Sequence, residues 1–114
     1  MSDFEIPTDL LARCAGRRDL VRRVLGTFVG QMDADIPELL HKIRSGDSDE
    51  VAKLAHRMKG ASANVVAEDL RSIAEDVEKC ARESRLDHAQ DCVNQLEVKW
   101  NDYLQTTRPF IEAS

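Results

Sequence analysis

From Leu20 to Ile43 one spacing repeats without a slip. Leu20, Val21, Val24, Leu25, Phe28, Val29, Met32, Ile36, Leu39, Leu40 and Ile43 share one face of a helix advancing about 100° per residue. A helix this long with one apolar face must lie against other elements, so the rest of the chain has to supply partners. Pro37 falls inside the pattern, where it removes a backbone donor and crowds the preceding turn. Because the phase runs through it, a kink near Asp35 is expected rather than a break.

The partners are helical too. Thr8 reads as an N-cap before a short helix with Leu10, Leu11 and Cys14, ending near Gly16 and preceded by a lead-in, Met1–Pro7, that packs through Phe4 and Ile6. Ser45-Gly46-Asp47-Ser48 stops the long helix, with Gly46 suited to a left-handed C-terminal residue and Asp47 or Ser48 to capping the next helix. That third helix starts near Asp49, carries Val51, Leu54, Ala55, Met58, Ser62 and Val65 on its inner stripe, and fades at Asn64–Val66. A fourth follows with Leu70, Ile73, Ala74, Val77, Cys80 and Ala81. A fifth, capped by Asp87, runs through Ala89, Val93, Leu96, Trp100 and Tyr103 or Leu104 to a stop at Thr106–Pro109 and a five-residue tail. No alternating run suggests a strand. The expected fold is all-α, an antiparallel four-helix bundle with an additional short N-terminal helix: a single domain over residues 1–114, with a core of about 10–104 and short tails. Such a bundle buries its own core, so a monomer is expected.

A net charge of −5 weighs against a nucleic-acid partner, since phosphate contacts need a basic face. Cys14, Cys80 and Cys92 are odd in number and scattered, without disulfide or zinc spacing, and read as reduced, packed thiols of a cytoplasmic protein. With no secretory leader and no apolar run near ~18 residues, neither export nor a membrane span is expected.

His56 stands apart from its helix's inner stripe, about 140° from its centre, beside Lys59, Ala52, Gly60 and Ala63. The small residues make a low surface that something large can approach. Gly60 costs a helix interior ~1 kcal/mol relative to alanine and so asks for a reason, such as close backbone approach. If the following turn centres on Val66-Ala67, antiparallel pairing sets His56 level with Glu78 and Ala52 level with Arg82. Glu78 can then accept from one imidazole nitrogen and leave the other as a directed nucleophile, while Lys59 and Arg82 supply positive charge for an anion. On an exposed face Glu78 would instead pair only with Arg82, at i,i+4. His41 and His88 lie off their stripes without a Lys-Gly partner and read as surface residues; Ser62, on the stripe, reads as a back-bonding hydroxyl.

His56-Arg57-Met58-Lys59-Gly60-Ala61-Ser62-Ala63-Asn64 resembles the H-x-x-K-G-[SA]-[SA]-x motif of histidine-containing phosphotransfer domains. The likeness covers roughly residues 10–104 and includes the short first helix, the proline-bearing long helix and the Gly-Asp turn. It implies a carrier that takes a phosphoryl group from a receiver-domain aspartate and passes it to another. His56 matches the phospho-acceptor, Lys59 the phosphate-supporting lysine and Gly60 the close-approach glycine. Glu78 stands where the family bonds its histidine through glutamine or glutamate, and Arg82 where some members carry a basic residue. One position departs: Val66 occupies a place usually held by a small residue, commonly glycine. The implied partners are response-regulator receiver domains and a hybrid sensor histidine kinase, docking over Ala52, Gly60 and Ala63. No cofactor or metal of its own is expected; Mg²⁺ would come with the receiver, and no nucleotide motif suggests an ATP site or autokinase activity. The alternative is a helical adaptor or scaffold that binds partner proteins without phosphotransfer.

Overall fold

A computed structural model describes residues 4–113. The first three residues of the lead-in and Ser114 of the tail lie outside the described residues. Five helices follow one another: α1 (Thr8–Arg13), α2 (Arg18–Arg44), α3 (Ser48–Asn64), α4 (Glu68–Arg82) and α5 (Leu86–Glu112), with no strand among the described residues. Helices α2 to α5 form the antiparallel bundle, α3 lying between α2 and α4, and α5 closing the ring against α4 and α2. Val21, Leu25, Met32, Leu39, Val51, Ala55, Met58, Val77, Val93 and Leu96 are fully buried along its axis. The long apolar phase of α2 is one helix, unbroken at Pro37.

The three joints of the bundle use the same backbone device. After α2, α3 and α4 come three-residue links, Ser45-Gly46-Asp47, Val65-Val66-Ala67 and Glu83-Ser84-Arg85, whose middle residue is left-handed. In each, the third residue's N–H reaches back to the helix (Asp47 to Lys42, Ala67 to Ser62, Arg85 to Cys80), which satisfies carbonyls a helix end leaves open. Asp47 then caps α3 by accepting from the Glu50 N–H at 3.1 Å.

Three sequence expectations give way. Thr8 is the first helical residue rather than the cap; Pro7 holds the cap position without a side-chain bond, and the ring's fixed φ is enough to enter the turn. Arg85 precedes α5, so Asp87 lies inside its first turn, favourable there through the helix dipole instead of by capping. Pro109 does not end α5, which continues to Glu112, so the packed bundle reaches beyond 104 and most of the supposed tail is helix. Phe110 is the reason. It is buried against Phe4 and lies under the Arg22 guanidinium, and Arg22 donates to the Phe110 carbonyl at 3.0 Å. A proline this near a C-terminus forfeits one backbone bond, and an anchored aromatic outweighs that.

Candidate functional site

The site grows from the α3–α4 hairpin. The Val65–Ala67 link sets the register, and in that register His56 Nδ1 lies 3.0 Å from Glu78 Oε2. Lys59, one turn further along α3, reaches the other oxygen, Oε1, at 2.8 Å. Arg82, one turn further along α4, donates to Oε2 through Nη2 at 2.7 Å and Nε at 3.2 Å. Three side chains thus converge on one carboxylate that is only 9% exposed, while the His56 side chain is 64% exposed.

Burial pushes the Glu78 carboxyl up, but the hydrogen bonds from Lys59 and Arg82, the Lys59 charge and the His56 contact outweigh it and hold the group at about 2. Glu78 is therefore ionised at neutral pH and can only accept. In the neutral imidazole the shared proton must sit on Nδ1, leaving the Nε2 lone pair without a hydrogen bond among the described residues. Beside the cluster an open depression of about 430 Å³ is lined by Lys59, Glu75, Glu78, Lys79, Arg82 and Glu83.

Gly60 is exposed and Ala63 half-buried, four and seven residues beyond His56 on the same side of α3. A Cβ at Gly60 would meet nothing within 4 Å, so the protein's own packing does not demand glycine there. Ala52 is different: at 3% exposure it belongs to the core and cannot form part of a docking surface. The side of α3 carrying His56 and Lys59 faces Glu78 of α4; packing closes over it at Ala52 and leaves it open at His56. Ser62 is fully buried and donates to the Met58 carbonyl at 2.8 Å. His41 and His88 lie away from the cluster; His88 pairs with Arg85 on α5's first turn.

Two supporting contacts went unread in the sequence. Arg57, directly after the histidine, donates to Asp35 of α2 at 2.8 Å, pinning α3 from its other flank. The signal was an acid on the apolar stripe of α2, between Met32 and Leu39, which needs a cationic partner. From α1, Arg13 donates to the Asn64 carbonyl at 3.0 Å and caps the histidine helix's C-terminus. That contact joins residues too far apart in sequence to be inferred. Among the described residues no three His, Cys, Asp or Glu side chains gather as a metal site, and no helix is long and apolar enough to cross a membrane.

A family model described as Hpt domain matches residues 23–108, most of the chain. The chain belongs to the Hpt domain family. Hpt domains are histidine phosphotransfer modules of phosphorelays: phosphocarriers that interact with receiver domains, not kinases. The matched span contains α3, α4 and nearly all of α2 and α5, hence every residue of the cluster on Glu78. No curated protein and no solved structure matches the chain significantly.

Proposed function

We propose that His56 is the phospho-acceptor of this Hpt domain, taking a phosphoryl group from one receiver-domain aspartate and delivering it to another. The observation that carries this reading is the Glu78 contact at Nδ1, which directs the lone pair to Nε2 on a solvent-exposed ring. The Nε2 pair attacks phosphorus as the bond to the aspartyl oxygen breaks and the carboxylate leaves with its electrons; the second transfer is the reverse step onto a new carboxylate. Lys59 and Arg82 neutralise charge on the phosphoryl oxygens. Gly60 and Ala63 form the low ground on which the receiver sits, and the receiver brings its own Mg²⁺.

Mixing the protein with phosphorylated receiver domains and Mg²⁺ tests this. An acid-labile, base-stable adduct is expected on the wild type and absent from His56→Gln. An adduct that survives His56→Gln puts the chemistry on another residue. A folded wild type that accepts from no receiver, nor from the small donor phosphoramidate, is a scaffold instead. Gly60→Leu separates docking from chemistry. It should keep or raise helix stability, by up to ~1 kcal/mol, and leave labelling by phosphoramidate unchanged while slowing transfer from a receiver at least about tenfold. Wild-type transfer in Gly60→Leu removes the close-approach role.

A further inference from the structure

Glu78 has three partners for two oxygens. Oε1 is taken by Lys59, and Oε2 is shared by His56 Nδ1 and Arg82. This sharing suits the resting protein, where two cations need an anion and the ring needs only an acceptor. It does not suit the phosphorylated one. A phosphoryl group on Nε2 is a stronger acceptor than a single carboxylate, and ammonium and guanidinium groups follow phosphate. Arg82 is 60% exposed and Lys59 sits on a flexible stem, so both are free to turn. Glu78, buried and repelled by the phosphoryl charge, is not. It keeps the one partner whose charge has just risen, because a bond at Nε2 makes the Nδ1–H ring cationic.

We propose that Glu78 exchanges counter-ions during the relay, releasing Lys59 and Arg82 to the phosphoryl group and becoming the counter-ion of the phosphorylated His56 ring, whose Nδ1 proton it holds through neutral and mildly alkaline pH. This rests on His56 being the acceptor. The consequence is chemical. In onward transfer a carboxylate oxygen attacks phosphorus, the Nε2–P bond breaks and Nε2 takes the electron pair. With the proton on Nδ1 the ring departs as neutral imidazole and no proton has to be delivered. Without it the leaving group is imidazolate, which is far poorer.

The charges around the ring set the sign. Glu78 favours the protonated ring; Lys59 on α3 and Arg82 on α4 oppose it while they remain on Glu78. Glu75, Lys79 and Glu83 of the adjoining depression are a further carboxylate, ammonium and carboxylate on the α4 side. On the α2 side Asp35 and Arg57 neutralise each other, and among the described residues no α5 side chain hydrogen-bonds or ion-pairs with the ring.

Protein phosphorylated with phosphoramidate and freed of donor is titrated by ¹H–¹⁵N NMR of the phosphohistidine ring, with hydrolysis followed over the same pH range. Mass spectrometry first locates the label. The wild-type ring should lose its proton at least about one pH unit above Glu78→Gln, the lower end of the shift an adjacent opposite charge produces. Hydrolysis should then be level in the wild type through mildly alkaline pH, where the variant falls about tenfold per pH unit past its midpoint. Coincident midpoints overturn the inference. Should circular dichroism show Glu78→Gln unfolded, the wild-type phosphoprotein is titrated folded and in urea, and equal midpoints again overturn it. Absence of label on His56 appears before any titration; it sinks the acceptor reading, and the counter-ion exchange with it.

Discussion

Asp35 on α2 and Glu78 on α4 are both buried carboxylates that reach cations of the histidine helix from its two flanks. Asp35 meets a single guanidinium, that of Arg57, at 2.8 Å. Glu78 meets an imidazole, an ammonium and a guanidinium together. A one-to-one pair is satisfied and has nothing to exchange, so it holds α3 in place. A carboxylate shared among three donors, two of them permanent cations, is poised to redistribute them when a new anion arrives. Partner number, not burial, separates the clamp from the working group.

Acid titration should divide the two most sharply. The Glu78 carboxyl, at about 2 in the fold against an ordinary value of 4.5, contributes stability that is complete above about pH 4.5 and disappears as pH falls through about 2. That contribution is on the order of 2–3 kcal/mol. In Glu78→Gln this part of the acid limb should flatten in denaturant melts taken from pH 5 to 2; an unchanged limb means the three donors do not act as a charge cluster. Asp35→Ala should cost somewhat less, about 1–2 kcal/mol, because the freed Arg57 is already 59% exposed and returns to water. Its phosphoramidate labelling of His56 should stay within about threefold of wild type, and a loss of about tenfold or more erases the distinction drawn here.

The smallest effect concerns the hinge that places Glu78. Gly46 and Val66 hold equivalent left-handed positions, φ 73° and 58°, at the two ends of α3's sequence neighbourhood. Glycine does so freely, whereas a β-branched residue is strained there. Val66→Gly should therefore raise stability by up to about 1 kcal/mol while the Glu78 contacts persist, read as an increased melting temperature with unchanged labelling of His56. A drop in stability means the half-buried Val66 side chain contributes more packing than its backbone costs.

Much of this was legible in the sequence because helical spacing is a local property. The stripes of α2, α3 and α4 are visible to the eye, Gly46 and Asp47 carry their own turn chemistry, and the distance of His56 and Glu78 from the Val66 turn brings them level. What stayed hidden was decided by neighbours. Ala52 has the phase of a surface residue, yet tertiary packing buries it. Pro109 reads as a stop, yet Phe110 binds the last turn to the core and to Arg22. The continued spacing Leu96, Trp100, Tyr103, Thr107, Phe110 was the available signal.

The sequence by itself determined that this chain forms helices, where most of them turn, and that a histidine with a Lys-Gly sequel stands off the core, since each follows from spacing of 3 or 4 residues and from single-residue backbone preferences. Only the tertiary structure decided how charge is shared. A carboxylate chooses among donors within ~3 Å, and which ones lie that close depends on the packing and register of two helices, which no stretch of either contains.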